Sequence, residues 1–349
     1  MRTTPLRGRD LASSSGDFYE WRARIRESWR YIIVGVTFEM SNLRNLGNQM
    51  MVSLALDEGG YLGRECPVES CLGYFKITLG TGLKEPAPCH CPYCGHSGEQ
   101  NNFFTREQNE YLSSVVMQKI SGALHKDLKS LEFEHKPKGM FGIGFSLKVK
   151  NSPPPPIRYY REKQLETEVT CGRCTLRYAI YGAFGWCPDC GQHNSLQILG
   201  KNLDLAKKAL ALAASAEAEM TEYLIGGALE NVVSAFDGFG REICLQKGED
   251  IRFQNLTGAR RRVQEAFEFD FAEGLSSAEW EAVCRVFQKR HVLAHKMGVI
   301  DEEYVRRSKD PGAIVGRKVR VSPEEVVAAV GAVEFMGNRL FVGALPPAP

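Results

Sequence analysis

The stretch Phe287-Gln-Lys-Arg-His-Val-Leu-Ala-His-Lys-Met-Gly-Val-Ile-Asp-Glu-Glu-Tyr304 decides how the C-terminal half of this chain is read. Just upstream, Trp280, Val283, Cys284 and Phe287 recur at the three-and-four spacing of an apolar helical face, and Ser276 with Glu279 forms a capping-box start. Extending that row by four and by eight from Phe287 reaches His291 and His295, about 40° apart around the helix, with Arg290 about 100° from His291. The pattern therefore predicts that these three side chains face inward or into a cleft. A lone histidine on an apolar face is usually a hydrogen-bonded core residue, but two imidazoles beside a guanidinium are harder to assign to packing alone. No near neighbour of Arg290 on this face is a carboxylate, so an anion such as phosphate is its expected complement. Gly298 is placed to stop the helix, and Asp301 to cap a short one after it.

Working outward, the composition from Asn202 onward shifts to alanine, leucine and glutamate. Leu205, Ala209, Leu212, Ala216 and Met220 form one helical row, and Leu229, Val232, Val233, Phe236 and Ile243 a second that ends near Gly248. Val263, Ala266 and Phe267 mark a shorter helix, and Ser322-Pro323-Glu-Glu325 opens a last one with Val326, Val330 and Val333 inward. These helices suffice for a bundle over residues 201–349.

Arg290, the polar His291 after it, and His295 resemble the Arg-x4-His signature of the HEPN superfamily, and the run through Gly298-Val-Ile-Asp301-Glu-Glu-Tyr304 is similar to that family as well. The resemblance covers roughly Leu203 to Arg339. It implies a helical bundle, cleavage of RNA without a catalytic metal, Arg290, His291 and His295 as catalytic residues, and a homodimer that brings two motifs to one cleft. It also implies a toxin or host-defence setting in which the front half senses a partner or ligand. Two other readings stand beside it: a non-catalytic module for binding nucleic acid or protein, and a nucleotide-binding regulator.

The front half is read from its cysteines. Cys66-x4-Cys71 followed by Cys91-Pro-Tyr-Cys94-Gly95 has the spacing of a zinc ribbon (61–104), with Tyr74–Thr78 a short strand between the pairs. Cys89, His90 and His96 lie close enough to substitute for a ligand. Cys171-Gly-Arg-Cys174 and Cys187-Pro-Asp-Cys190-Gly191 bracket a strand-forming segment and predict a second ribbon (161–200). Four thiolates leave no open coordination position, so two structural zinc ions are expected. Arg173, Arg177 and Tyr178 are candidates for a contact surface on that ribbon.

The remaining segments read as support. Residues 1–16 are polar and left without structure. Asp17 to Val34 carries Phe18, Trp21, Ile25, Trp29 and Ile32 at helical spacing, and Leu43, Leu46, Met50 and Leu54 continue it, so 1–60 is expected to be a helical segment. Thr105 with Gln108 opens a helix towards Leu131, and Gly139–Lys150 reads as a strand or hairpin. Pro153 to Pro156, in a linker at 151–160, is the expected domain boundary.

The whole is multidomain and mainly α. Its formal net charge of +2 over 349 residues forces no polyanion partner, so an RNA path must come from local clusters at Arg260–Arg262, Arg306–Arg307, and Arg317, Lys318 and Arg320. No membrane partner is expected, because the strongest apolar run, Tyr31–Phe38, is too short to span a bilayer and the N-terminus lacks a signal pattern. Sorting eight of the eleven cysteines into metal-ligand pairs fits a reducing, cytoplasmic compartment.

Overall fold

In the segment Gln49–Ala55, Met50, Val52 and Leu54 are buried while Met51, Ser53 and Ala55 are exposed, an alternation that only a strand produces. The computed structural model describes residues 18–24, 32–33, 36–37, 41–47, 49–84, 87–135, 145–150 and 152–345. It divides into two units, 1–191 and 192–349.

In the first unit the elements are β1 (Phe18–Arg24), β2 (Ile32–Ile33), β3 (Val36–Thr37), α1 (Ser41–Arg44), β4 (Gln49–Ala55), β5 (Tyr61–Glu65), β6 (Tyr74–Thr78), β7 (Cys89–His90), β8 (Ser97–Gly98), α2 (Arg106–Lys129), β9 (Phe133–His135), β10 (Phe145–Leu147), β11 (Thr167–Thr170) and β12 (Arg177–Ile180). The helical N-terminal segment is thus corrected: β1 pairs antiparallel with β4, from Phe18 opposite Ala55 to Arg24 opposite Gln49. The physical reason is that a spacing of four, as between Met50 and Leu54, is a whole number of strand repeats as well as about one helical turn. The Arg- and aromatic-bearing stretch 18–24 also alternates, with Glu20, Arg22 and Arg24 polar and Tyr19, Trp21 and Ala23 between them. The part of the expected helix at 25–31 lies outside the described residues, as do 1–16 and 346–349.

A four-stranded sheet in the order β11-β12-β6-β5 joins the two cysteine-bearing hairpins. Its core includes Leu62, Phe75, Tyr178 and Ile180, with Phe103, Leu112 and Val116 packed in the same cluster. The expected capping box of α2 is present, and Gln108 does more than cap: fully buried, it donates to Gly63 O and to Glu162 Oε1, both at 3.0 Å. The chain from Pro155 runs along α2, where Pro155 O accepts from Gln118 Nε2 at 3.3 Å and Arg158 N donates to Ser114 Oγ at 3.0 Å. The proline run therefore lies inside the first unit, and the division between the units falls after Gly191.

The second unit is a bundle of α3 (Ser195–Ala213), α4 (Ala218–Leu245), α5 (Leu256–Phe267), α6 (Ser277–His295), α7 (Glu302–Ser308) and α8 (Pro323–Ala344). Its centre is aromatic: Phe236 meets Phe253, Phe271 and Phe287 edge to face, with centroids 5.4 to 6.3 Å apart. Gly240 permits this, because a Cβ there would sit 2.4 Å from the Phe253 ring. The expected rows of α4 and α8 are buried. That of α3 is not: Leu205 is 56% and Leu212 64% exposed, and the buried row is Leu199, Leu203, Ala206, Leu210 and Ala213. A helix apolar on several sides offers more than one row of the right period, and packing chooses between them. α8 is long and apolar enough by composition to cross a membrane, which the apolar-run reading of Tyr31–Phe38 missed, but Val326, Val330, Val333, Met336 and Leu340 place it in the bundle core.

Candidate functional site

The two cysteine clusters are built from tight turns. Cys66 and Cys71 occupy the β5–β6 turn, Cys171 and Cys174 the β11–β12 turn, and the two Cys-Pro-x-Cys turns follow β7 and precede Gly191. In every one of the four turns the residue after the second cysteine is left-handed: Leu72 at φ 44°, Gly95 at 70°, Thr175 at 63° and Gly191 at 62°. That geometry is natural for glycine and costs a non-glycine residue about 1 kcal/mol, so Leu72 and Thr175 are held there by what the turns converge on. Sulfurs of Cys66 and Cys94 stand 3.6 Å apart, of Cys71 and Cys91 3.7 Å, of Cys171 and Cys190 3.6 Å, and of Cys174 and Cys187 3.5 Å. These are too long for disulfides, and they approach the edge of about 3.8 Å of a tetrahedron with bonds of about 2.3 Å to zinc. Backbone N–H groups of Tyr93 and Arg173 point at the sulfurs of Cys91 and Cys171 at 3.4 Å, as anionic thiolates require. Each cluster could therefore hold a metal ion such as zinc. Cys89, His90 and His96 are not members of either cluster. Tyr178 of β12 has a buried hydroxyl with no partner among the described residues, and burial, then the second cluster's sulfurs, raise its pKa.

The capping box of Ser276 and Glu279 at the start of α6, and beyond its end the turn at Gly298 (φ 78°) and the cap by Asp301, which accepts from Tyr304 N at 2.8 Å, are all as the sequence predicts. The facing of the histidines is not. His291 and His295 are exposed, and the buried row of α6 is Val283, Val286, Phe287, Lys289 and Val292. Each step of four residues overshoots a full turn by about 40°, so two steps from Phe287 carry His295 about 80° off the buried face. The rings remain neighbours, with centroids 4.9 Å apart and planes at 56°. Desolvation, then electrostatic repulsion from neighbouring His295 and Lys296, hold His291 below the ordinary imidazole range, with Glu303 opposing.

Arg290 is nearly buried, its side chain 12% exposed, and its expected anion is supplied from within the chain: Glu230 of α4 lies 3.5 Å away and Ser234 Oγ accepts from Nη2 at 3.4 Å. Its Nε is buried with no partner among the described residues. Beyond the histidines, Glu303 on α7 ties Lys296 and Arg307 at 3.3 and 3.0 Å, and Asp301 also accepts from Lys296. Arg307, whose charge reaches His291, also lines a cleft of about 460 Å³ with Thr257, Arg261, Cys284 and Gln288. The Arg260–Arg262 cluster is less available than its sequence suggests: Arg260 grips Asp270 and stacks on Trp280, Arg261 pairs with Glu265, and Arg262 with Glu249.

Sequence reasoning missed Lys289, Glu230 and Glu303. Lys289 is buried and donates to both oxygens of Glu325, at 2.6 and 2.8 Å, and to Arg320 O at 2.7 Å. A lysine three residues after Val286 on the core row was its only local signal. Glu230 has none, because its partner lies on another helix. Comparison with protein-family models, with curated proteins and with solved structures finds no match to this chain.

Proposed function

We propose that the C-terminal unit is a metal-independent endoribonuclease of the HEPN type, acting as a homodimer in the cytoplasm as a toxin or host-defence effector under control of the N-terminal unit. The observation that carries the reading is the pair of solvent-facing imidazoles 4.9 Å apart, with Arg290 immediately before them and Lys296 immediately after. An RNA phosphodiester brings its own nucleophile, the 2′-hydroxyl. Cleavage needs a base for its proton, an acid for the leaving 5′-oxygen, and cations for the non-bridging oxygens. His295 is the principal acid/base group, and His291, whose pKa burial and its neighbours lower, is its proton-transfer partner. Arg290 exchanges Glu230 for the phosphate. The two clusters bind zinc in a structural role, since four thiolates fill its coordination.

The test is cleavage of a defined RNA by the full chain in chelator. The products should end in a 2′,3′-cyclic phosphate, and a 2′-deoxy residue at the cleaved position should stop the reaction. Arg290→Ala and His295→Ala should each lose at least about a hundredfold in rate with the fold intact. Cleavage of the 2′-deoxy substrate, or full activity in both variants, would remove the site. The Glu230–Arg290 pair favours one alternative, in which Arg290 ties α6 to α4 and the protein binds nucleic acid or protein without cleaving it. A folded wild type that binds RNA and leaves it whole selects that reading.

A further inference from the structure

The two cysteine clusters are related by an internal pseudo-symmetry that their separation in sequence conceals. Each begins with a cysteine pair in the turn of a hairpin, β5–β6 or β11–β12, and ends with a Cys-Pro-x-Cys-Gly turn. The second strands of the two hairpins, β6 and β12, pair antiparallel through Ile77 opposite Tyr178 and Lys76 opposite Ala179. The two Cys-Pro-x-Cys turns meet along another seam. His90 N donates to Pro188 O at 2.8 Å, and Trp186 N donates to Pro92 O at 2.9 Å. His90 precedes Cys91 as Trp186 precedes Cys187, and Pro188 follows Cys187 as Pro92 follows Cys91. The two hydrogen bonds are thus one bond repeated under exchange of the halves.

The variable residue of each turn repeats the exchange. Tyr93 Oη accepts from Tyr181 N, just beyond β12, at 2.9 Å, and donates to Tyr74 O at 2.6 Å. Asp189 Oδ2 accepts from Leu83 N, beyond β6, at 2.8 Å. Each turn therefore completes the other half's backbone hydrogen bonding. His90 is buried, so a disordered partner turn would leave its N–H unsatisfied where water does not reach it.

We propose that the clusters form one binuclear unit in which a thiophilic divalent cation bound at either cluster raises the affinity of the other. The free energy of metal binding at such sites is folding free energy. Ordering one turn around its ion presents the proline carbonyl and the Tyr93 or Asp189 acceptor that the other turn needs, so the second ion meets a site whose ordering has already been achieved. This rests on metal binding by the clusters, and it adds that the two ions are thermodynamically linked.

The experiment is a cobalt(II) titration of the reduced, metal-free full chain, followed by the thiolate-to-cobalt absorption that reports tetrathiolate sites. Two ions should bind with positive cooperativity. Cys71→Ser and Cys174→Ser, which each spoil one cluster, should weaken cobalt at the remaining intact cluster by about tenfold. Tyr93→Phe keeps all eight thiols and loses the hydroxyl across the seam. It should still take up two ions, in steps less cooperative than those of the wild type. Two ions binding independently, with unchanged affinity in the single-cluster variants, would overturn the linkage and leave metal binding standing. A chain that takes up no cobalt would remove metal binding and the linkage together.

Discussion

Lys289 and Asp270 show how single side chains in the bundle are held by charge. Lys289 is buried with a side-chain exposure of 7%, and its partner Glu325 is one-third exposed. Truncating the lysine leaves a half-desolvated carboxylate, so Lys289→Ala should cost about 2 kcal/mol in urea unfolding, less than a fully buried pair because solvent reaches Glu325. Burial pushes the Asp270 carboxyl up, but the two-point grip of Arg260 and the Ala272 N–H outweigh it and hold the group below its ordinary value. A carboxylate depressed in the folded state contributes stability that is present above its unfolded pKa of about 3.9 and is lost as pH falls through the folded value. The stability difference between wild type and Asp270→Asn should therefore stay constant above about pH 5 and close below about pH 4, as read by unfolding across that range. His291 has the same sign: its pKa is depressed too, so protonation also favours the unfolded chain. Its depressed pKa means the folded state resists protonation, so cleavage that uses it as a base should persist further into acid than an unperturbed imidazole allows.

At the scale of elements, the starts of α2, α6 and α8 were legible because a capping box is complete within four residues. Ser276→Ala should destabilise by about 1 kcal/mol, measurable as a shift in the urea midpoint without a change in slope. The close approach of α4 to Phe253 depends on the missing Cβ of Gly240, and Gly240→Ala should cost about 1 to 3 kcal/mol by overpacking despite alanine's better helix propensity. The N-terminal strands were misread because apolar spacings of four satisfy both periods, and the deciding evidence, the pairing of β1 with β4, joins segments separated along the chain. The wrong row on α3 has the same origin. Leu205 and Leu212 are as periodic as Leu203 and Leu210, and only the helices packed beside α3 distinguish them.

For the whole molecule, the division after Gly191 predicts that residues 192–349 fold alone and keep their helical signal in chelator, whereas reduced 1–191 should lose its sheet structure when metal is withheld from its cysteine clusters. Circular dichroism of the two fragments decides this. A fragment beginning at 201 should be less stable than one beginning at 192, because α3 starts at Ser195 and Leu199 is buried in the bundle. Metal analysis of the freshly reduced chain should return two ions, and Cys187→Ser should disturb both clusters because its turn supplies the carbonyl that His90 uses.

The sequence by itself determined the eight cysteines that come together in two clusters able to hold a metal ion, the helical bundle with its caps, and the arrival of Arg290, His291 and His295 at the end of one helix. Each of these is encoded within a turn or two of the chain, where spacing fixes geometry. Only the tertiary structure decided that the histidines face solvent, that Glu230 answers Arg290, that Lys289 is buried against Glu325, and that the two ribbons share one sheet. These depend on which surfaces pack together. Local periodicity tells a helix or strand that it has an apolar face, but the partner that covers it comes from elsewhere in the chain.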